Sequence, residues 1–596
     1  MSDPDPVVLD GSSLTLAAVA RLARDPRVRV EVSEEAMDRI RASRELIEGI
    51  AQRYREDFAA MERGEAARPV LEYGVTTGFG EFKNIPVAPD HLEELQRNLL
   101  LSHSVGVGEN ADPDDMVNYF EAEVVRAIIA IRLNAFLKGH SGVRPELVRA
   151  LESLLNRGIV PLVPLRGSVG SSGDLCPLSH LFSVLIGEGR YYVVREPEDL
   201  RGSIHRDLRE GRSLAEDLGE PLLTLGVKES LALINGTTVS TALLALAVHD
   251  AERAADVADA AVALSLEAVC GSVRALDARV HEARGQAGQI ASAARIRELL
   301  RGSRLVERAG AVQDVYSLRC APTVHGAARD AIAYARRIAE IEVNAATDNP
   351  LFFPGAPEPP FDHEFRENWP EGYRGDQRAG YSAGNFHGEP VGFAADFLAI
   401  GLAELANISE RRTQMLLDAT QNRNLPANLI PRRGVNSGLM LIQYAAASLV
   451  SENKVLSHPA SVDSIPTSAN SEDHNSMATI AARKLRTVLR NTQSTLAIEL
   501  IVAAQAVDWR AGMEIDPRKS RPAGKDGDWE AAERESDAFA DRTRPERREK
   551  IAAHLGEGTR RFYLRVRELA PPMLGDRTLD GDIRAVKRAI ESGAAE

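Results

Sequence analysis

The segment GSVGSSGDLCPLSH, residues 167 to 180, holds the residue types best suited to chemistry in this chain. Within it, the backbone nitrogen of Gly173 can attack the carbonyl carbon of Ser171 and close a five-membered ring, because only glycine lets the chain fold back that tightly. Loss of water, including the Ser172 hydroxyl, then leaves an exocyclic methylene conjugated to the ring carbonyl. The tripeptide Ser171-Ser172-Gly173 therefore predicts a strong electrophile made without an added cofactor.

The same cluster of small residues is also typical of simpler structures. A surface turn would use Ser171, Ser172 or Asp174 as the N-cap of the next helix, which is the commonest role of a Ser/Gly cluster. A phosphate-binding loop is disfavoured, since neither GxGxxG nor GxxxxGKS/T occurs and no lysine follows. A serine-hydrolase nucleophile elbow requires GxSxG after a strand, and no strand is predicted here.

The segment and the rest of the chain resemble the aromatic amino acid ammonia-lyase family, which includes histidine, phenylalanine and tyrosine ammonia-lyases and related aminomutases. In that family the tripeptide becomes a 4-methylidene-imidazol-5-one group (MIO), usually from Ala-Ser-Gly. The resemblance implies MIO formed from Ser171, Ser172 and Gly173, with serine in place of the usual alanine, and no external cofactor. The ordered blocks that carry the resemblance are VVLDGSSLTL, YGVTTGFG, LQRNLLLSH, LINGT, QDVYSLRC, TDNPLF, GNFHGEP, SENK, SVDSIPTSANSEDHNSM and DRTLDGDIRAVKRAI.

Catalytic roles for two tyrosines and an arginine follow from the resemblance. Tyr73, in EYGVTTGFG, matches the base that removes the β-proton, whereas a tyrosine beside glycines is more often a packed loop anchor. Tyr316, in QDVYSLRC, matches a tyrosine near the electrophile, and Arg319 matches the residue that binds the substrate carboxylate. A Tyr/Arg pair three apart is otherwise usually a solvated pair on one helix face. Val315 replaces the proline usual at that position.

Three further residues match positions around the prosthetic group in the family. By themselves, an asparagine in LINGT is typical of a helix cap and a phenylalanine in GNFHGEP of a core aromatic. The resemblance implies that Asn235 also contacts the substrate. The cofactor-binding residues that it implies are Asn235, Gln313 and Phe386.

The substrate is indicated by the pair Ser102-His103 in LQRNLLLSH, which resembles histidine enzymes rather than the Phe-Leu of phenylalanine enzymes or the His-Leu of tyrosine enzymes. Glu472, in NSEDHNSM, adds a physical argument. Facing a bare phenyl ring, a buried carboxylate would lose hydration without gaining a partner, at a cost of about 1–3 kcal/mol. An imidazole ring can donate a hydrogen bond to it. Met440 matches the apolar packing beside such a ring.

The resemblance therefore implies elimination of ammonia from L-histidine to give trans-urocanate, in a homotetramer whose active sites are shared between subunits. A phenylalanine or tyrosine ammonia-lyase, or a 2,3-aminomutase of the same family, is the alternative activity. An alternative from a different functional class is a helical scaffold protein that has lost its catalytic activity. Retention of Tyr73, Arg319 and Glu472 argues against the scaffold.

No metal site is predicted. The histidines occur in separate blocks without HExxH or paired i, i+4 spacing. In SEDHNS, helical geometry would point Asp473 and His474 to different faces, so His474 is expected to be an interior residue. The histidines considered are His103, His180, His387, His458 and His474.

Composition excludes several partners and compartments. Lys and Arg total 72 against 87 Asp and Glu, a net charge of −15 without a basic stripe, which disfavours nucleic acid and anionic membrane surfaces. Three distant cysteines, Cys176, Cys270 and Cys320, favour a reducing compartment. The acidic N-terminus is unlike a signal peptide, and no long uncharged apolar stretch is evident. We expect a cytoplasmic protein.

The fold predicted from residue spacing is all-α. Aromatic residues are only 5%, and Ala, Leu, Arg and Glu recur at helical spacing. The resemblance implies a long-helix bundle core of the aromatic amino acid lyase and fumarase-like superhelical type, with a small mixed N-terminal region. Residues 73 to 110 are predicted to be rich in loops. The expected domains are 1–225 with the Tyr73 loop and the MIO segment, 226–510 as the central bundle, and 511–596 as a charged surface linker, at 511–548, and C-terminal helices.

Overall fold

Helices form most of the computed structural model, which describes residues 4–65, 67–200, 207–355, 368, 379–511 and 529–595. The prediction of an all-α fold with a small mixed N-terminal region is confirmed. In chain order the described α-helices are α1 Leu16–Arg24, α2 Glu34–Glu62, α3 Leu92–His103, α4 Ala122–Phe136, α5 Pro145–Asn156, α6 Leu175–Ser183, α7 Leu214–Leu218, α8 Glu229–Ile234, α9 Thr238–Ala268, α10 Ala278–Arg284, α11 Ala287–Leu299, α12 Tyr316–Arg319, α13 Ala321–Glu342, α14 Glu389–Leu417, α15 Met440–Leu456, α16 Ala478–Ala511, α17 Trp529–Arg542, α18 Arg548–Ala552, α19 Glu557–Leu569 and α20 Asp580–Ser592.

The strands among the described residues are short and form three small sheets. In the first, β1 Val7–Leu9 pairs in parallel with β2 Val30–Val32, and Val8 lies opposite Glu31. The second is antiparallel and has the order β3 Ile159–Pro161, β4 Arg190–Val193, β5 Arg209–Glu210. The third pairs β6 Leu351–Phe352 with β7 Gly380–Tyr381.

The described chain divides into two compact units, each made of three separate segments. The first unit comprises Met1–Leu246, Arg336–Ala395 and Ala460–Arg483. The second comprises Ala247–Ala335, Asp396–Pro459 and Lys484–Glu596. The domain boundaries at 225 and 510, which follow the linear sequence, stay predictions.

Helix α3 corrects the prediction that residues 73 to 110 are mainly loop. Leu92, Leu99 and Leu100 are buried, and their spacing of seven and eight residues places them on one helical face. Glu93 and Glu94 lie in the first turn, where carboxylates interact favourably with the helix dipole. The glycines and prolines that flank α3 in the sequence favoured the loop prediction. The short apolar pattern of Leu92, Leu99 and Leu100 nevertheless has helical spacing.

Helix α17 corrects the prediction of a surface linker over 511–548. Its Phe539 is buried and stacks on Trp509, with the ring centroids 3.9 Å apart and the planes at 13°. One aromatic side chain therefore anchors an otherwise charged helix within the second unit. Residues 512–528 of the predicted linker lie outside the described residues.

Helix α14 is long and apolar enough, by length and composition alone, to cross a membrane. No such stretch was predicted from the sequence. In the structure, 67% of its most apolar window is buried inside the protein. A core helix of a soluble protein passes the same test.

Glu267, near the C-terminal end of α9, is buried in the second unit and accepts a hydrogen bond from the backbone N–H of Gly556 at 2.8 Å. Burial raises its pKa to about 7 from the ordinary 4.5, against the opposing effect of the Ser303 and Thr559 hydroxyls. The folded protein therefore binds a proton that the unfolded chain releases between these two values, so stability falls as pH rises through this window.

We expect the Glu267→Gln variant to be more stable than the wild type above neutral pH. Glutamine keeps an acceptor for Gly556 and removes the buried charge, and the raised pKa corresponds to a gain on the order of 3 kcal/mol. Thermal unfolding at about pH 5 and about pH 8 measures the stability of the variant relative to the wild type. The variant should be more stable only at the higher pH. The exposed Glu557→Gln is the control. An equal shift at both pH values would contradict the prediction.

Candidate active site

Backbone contacts in the first unit hold the Ser171-Ser172-Gly173 tripeptide against Gly236. The Gly236 N–H donates to the Ser172 carbonyl at 3.2 Å, and the Asp174 N–H donates to the Gly236 carbonyl at 2.8 Å. Gly173 has φ +79°, and a Cβ there would lie 2.2 Å from the Gly236 carbonyl oxygen. Both the left-handed conformation and this close approach require glycine.

Asp174 anchors the tripeptide from its C-terminal side. It does not form the N-cap hydrogen bond that the surface-turn interpretation predicted. It occupies the N-cap position of α6 but makes no side-chain capping bond. Instead, its carboxylate accepts from the Ser240 N–H at 2.8 Å, from the Ser240 hydroxyl at 3.0 Å and from the Thr479 hydroxyl. Burial raises the pKa of Asp174, and these donors oppose that effect.

A pocket of about 480 Å³ in the first unit brings together five residues that the sequence pointed to. They come from four separate chain segments: the Tyr73 loop, the end of α3, the tripeptide and the loop before α16. Leucine, isoleucine and phenylalanine side chains supply much of the remaining wall. The five residues are Tyr73, Ser102, His103, Ser172 and Glu472. The apolar lining includes Phe79, Phe82, Leu95, Leu99, Leu175, Leu231 and Ile234.

Tyr73 lies at the start of a tight turn and faces this pocket. Its hydroxyl accepts a bond of 3.4 Å from the Gly80 N–H, and its ring meets Phe79 edge-on at 6.2 Å between centroids. Burial raises the pKa of Tyr73, and the charges of Glu472 and Asp348 raise it further. The phenol is therefore the favoured form until a positive charge enters the site.

The C-terminal end of α3 places Ser102 and His103 at the pocket. The His103 Nδ1 lies 2.9 Å from the Leu99 carbonyl and 3.0 Å from the Ser102 hydroxyl. Burial lowers the pKa of His103 despite the opposing effects of the Leu99 carbonyl and the Glu472 charge. The neutral ring that donates from Nδ1 to Leu99 leaves Nε2 as an acceptor.

Glu472 is held by a short loop pairing with Thr467. Each of the two residues donates its N–H to the carbonyl of the other, at 2.9 and 3.3 Å, and the Thr467 hydroxyl donates to the Glu472 carboxylate at 2.8 Å. The Gly80 side of the Tyr73 loop packs near this segment, and Lys83 donates to the Ser471 hydroxyl at 3.2 Å. The carboxylate therefore has one fixed donor and further acceptor capacity in the pocket.

Asn235 is buried beside the tripeptide, although it does not line the pocket. Its Nδ2 donates to the Asn349 carbonyl at 3.1 Å and lies 3.5 Å from the Asp348 carboxylate. Its Oδ1 is buried and has no hydrogen-bond partner among the described residues. An unsatisfied buried acceptor costs about 1–3 kcal/mol, so this atom is suited to receive a donor that the chain alone does not supply.

The remaining predicted residues do not line this pocket. Phe386 belongs to the first unit and is half-buried. In the second unit, Tyr316 is 71% exposed, and the Arg319 guanidinium stacks on its ring at 4.5 Å. The Arg319 Nε is buried without a partner among the described residues. Gln313 and Met440 also belong to the second unit, and both are exposed.

Three buried charged residues around Asn235 and Gly236 were not predicted from the sequence. Arg132 donates to the Asn235 carbonyl at 2.6 Å, and burial lowers its pKa to about 10. Lys228 and Asp348 form an ion pair at 2.6 Å. Two sequence features could have indicated this ion pair. They are the lone lysine in the apolar run LGVKESLALI and the aspartate of TDNPLF.

A cluster of histidine and carboxylate groups lies outside the pocket. Ligand atoms of His387, Glu389 and His474 lie within 4.8 Å of one another, so the fold brings together blocks that are far apart in sequence. His474 is exposed, which corrects its predicted interior position. The prediction of no metal ion stays a prediction.

Comparison with known proteins places this arrangement in a family. The family model for aromatic amino acid lyases matches residues 14–526. The chain belongs to the aromatic amino acid lyase family, a family of carbon–nitrogen lyases. Its curated relatives include the histidine ammonia-lyase of Caldanaerobacter subterraneus subsp. tengcongensis, 43% identical over 99% of this chain and 97% of that protein. That of Symbiobacterium thermophilum is 41% identical over 98% of this chain and 96% of its own length.

Solved structures give the same fold. The histidine ammonia-lyase from Trypanosoma cruzi matches with a TM-score of 0.75 and 36% identity over 99% of this chain and 94% of that chain. A tyrosine aminomutase from Streptomyces globisporus matches with a TM-score of 0.79 and 35% identity over 99% of this chain and 97% of that one. The family and the long-helix fold implied by the resemblance are confirmed.

Proposed function

We propose that this chain eliminates ammonia from L-histidine to give trans-urocanate. The observation that carries the proposal is the pocket in which Glu472 and His103 share walls with Tyr73 and Ser172. A carboxylate suits the imidazole of histidine, and Tyr73 and Ser172 are the proposed base and source of the electrophile. The relatives named histidine ammonia-lyase, 41–44% identical over most of the chain, support the same substrate.

The proposed electrophile is MIO, formed by the chain itself with loss of two waters. The Gly173 nitrogen bonds to the Ser171 carbonyl carbon, and that oxygen leaves as water with the Gly173 N–H and Ser172 N–H protons, which gives a C=N bond. The Ser172 Cα proton and hydroxyl leave as the second water, which gives the C=C bond. No electrons are gained or lost overall.

The residues present fit this group. Gly173 and Gly236 approach so closely that no side chain can stand between the tripeptide and its support. The Gly236 N–H donates to the Ser172 carbonyl, which would be conjugated to the methylene. Helices α6 and α9 begin within two residues of Gly173 and Gly236, and their N-termini add positive potential. The group supplies an electron-poor carbon that makes the substrate amine a better leaving group.

The chain's own residues would then bind the substrate and move its β-proton. Tyr73 accepts that proton at its phenolic oxygen, since it is the titratable hydroxyl in the pocket and a nearby ammonium lowers its pKa. Arg319 offers its guanidinium fork to the substrate carboxylate, and its stacking on Tyr316 restricts its rotation. Asn235, Gln313 and Phe386 support the prosthetic group, and Met440 packs beside the substrate ring.

The experiment that tests the function is a substrate panel read by ultraviolet absorbance. Histidine should give the urocanate band, while phenylalanine and tyrosine should give little cinnamate or coumarate. Turnover of phenylalanine or tyrosine without histidine would reject the proposed substrate. Chiral analysis of the products separates the alternative 2,3-aminomutase from a lyase, and one structurally similar protein is a tyrosine aminomutase.

Glu472 should decide the choice between polar and apolar rings. We expect Glu472→Gln to lower kcat/KM for histidine by about 10- to 100-fold, the value of a hydrogen bond to a charged group. Activity on phenylalanine should not fall, because a phenyl ring makes no such bond. Steady-state kinetics on both substrates measure the effect. The adjacent exposed Asp473→Asn is the matched control, and an equal loss on both substrates would contradict the prediction.

We propose a cytoplasmic homotetramer in which each active site draws on several subunits. Exposed apolar side chains on α15 support self-association, since Leu441 is 54%, Tyr444 57% and Val455 73% exposed in the single chain. Sedimentation velocity of the purified protein should give a tetramer at micromolar concentration. A monomer with full activity would contradict the shared site.

A further inference from the structure

Lys228 and Asp348 form an ion pair that the proposed mechanism does not use. The Lys228 Nζ lies 2.6 Å from the Asp348 Oδ2, and the two side chains are 0% and 3% exposed. Burying both charges is costly, and apolar residues of similar volume often stabilise a protein as well or better. The pair is therefore better explained by what it holds in place than by a gain in stability.

The ion pair fixes the segment from Thr347 to Asn349. Asp348 also accepts from the Asn349 N–H at 2.6 Å, and the Asn349 carbonyl accepts from the Asn235 side chain at 3.1 Å. Thr347 packs directly on Gly236, where an added Cβ would lie 2.7 Å from its hydroxyl and 2.9 Å from its carbonyl oxygen. This segment therefore forms one side of the support for Asn235 and Gly236.

Arg132 forms another side of that support. Its guanidinium donates to the Asn235 carbonyl at 2.6 Å and to the Ala232 carbonyl, and its Nη1 would lie 2.7 Å from a Cβ at Gly236. The backbone at Asn235 and Gly236 is thus restrained on both sides. The group that it presents to the tripeptide is the Gly236 N–H, which donates to the Ser172 carbonyl.

That donor acts at the atom where charge develops in the second dehydration. When the Ser172 Cα proton leaves, negative charge spreads onto the Ser172 carbonyl oxygen until the hydroxyl departs from Cβ. A preorganised N–H at this oxygen stabilises that charge, and removing such a donor costs about 10²–10³ in rate in other enzymes. The first dehydration occurs at the Ser171 carbonyl and does not use this donor.

We infer that Lys228 and Asp348 are positioning residues for the second loss of water at Ser172. The ion pair holds the segment from Thr347 to Asn349, which holds Asn235 and Gly236, and the Gly236 N–H then meets the Ser172 carbonyl at the required position. This inference rests on the proposed formation of MIO. It assigns the ion pair to maturation of the enzyme and gives it no contact with the substrate.

Intact-mass spectrometry of the full-length variant Lys228→Met/Asp348→Leu tests the inference. This variant removes both charges and keeps the approximate volume, so neither residue is left as a buried unpaired ion. We expect a species that has lost one water to accumulate, with the second loss slowed about 10-fold or more because the donor is displaced. The readout is the ratio of the two dehydrated masses with time after synthesis, and it is independent of activity.

The matched control is Arg144→Met/Glu229→Leu. Glu229 is the buried neighbour of Lys228, and it pairs with Arg144 at 2.6 Å; among the described residues its carboxylate has no hydrogen bond to Asn235 or to residues 347–349. This variant should lose both waters at the wild-type rate, even if its melting temperature falls. Where that double variant does not fold, Lys228→Met/Asp348→Asn, which also removes both charges and keeps the volume of the Asp348 side chain, gives the same measurement.

The outcomes separate this inference from the proposed function. If the wild type loses two waters and the Lys228/Asp348 variants do so equally fast, the positioning role is wrong while the proposed function stands. Slow second loss in the control as well would assign the effect to general destabilisation and would also overturn the role. A wild type that loses no water would overturn both proposals.

Discussion

Replacing Ser172 by alanine should abolish activity on histidine and prevent the loss of two waters from the polypeptide. Without the Ser172 hydroxyl, the second water cannot be lost and no methylene carbon forms. The remaining groups bind substrate but offer no electrophile to activate its amine. Intact-mass measurement and the urocanate assay test both parts, and residual activity should lie at the detection limit.

The neighbouring variant Ser171→Ala provides the control. In the proposed ring, the first residue contributes only its carbonyl carbon, so its side chain is not consumed. This variant should lose two waters and keep activity within about threefold of the wild type, well under 1 kcal/mol of barrier. Full dehydration in Ser172→Ala, or none in Ser171→Ala, would be incompatible with the proposed chemistry.

The second large effect is expected for Tyr73→Phe. Removing the phenolic oxygen removes the proposed proton acceptor, and general bases contribute about 10²–10⁴-fold to rate. We expect kcat to fall by that factor while two waters are still lost, since Tyr73 has no bond to the tripeptide. Single-turnover rates per dehydrated subunit measure the effect. If kcat falls by less than about tenfold, another residue must be the base.

The pH dependence gives an independent test of Tyr73. Burial raises its pKa, so the reactive phenolate grows as pH rises and kcat/KM of the wild type should rise on the alkaline side. The charge of Glu472 also raises this pKa, so Glu472→Gln should shift the alkaline rise to lower pH. Tyr54→Phe, which loses a buried hydroxyl bonded to Val87, is the control and should keep the profile.

Much of the site could be predicted from the sequence because its chemistry depends on residue types in short blocks. Only glycine can occupy the third position of the tripeptide, and its contact with Gly236 shows why. The pocket joins Tyr73, Ser102-His103, Ser172 and Glu472, which come from blocks spread over almost four hundred positions. The roles of these residues stay predictions, although their grouping is now a structural result.

Other features could not be predicted because they depend on contacts between distant segments. Lys228 and Asp348 are separated by 120 positions, and nothing local marks them as partners. The cluster of His387, Glu389 and His474 forms only where the start of α14 meets the loop before α16. Helix α17 has a highly charged sequence, and its order follows from the stacking of Phe539 on Trp509.

The glycine pair at 173 and 236 also has a consequence for engineering. A Cβ at either position would lie within 2.2 to 2.7 Å of backbone or fixed polar atoms, so we expect every replacement of these glycines to be inactive. Productive libraries for new ring substrates should vary the wall, where Leu99, Leu231 and Ile234 present side chains to the pocket. Screening effort concentrated on that wall samples shape and polarity while the tripeptide and its support stay intact.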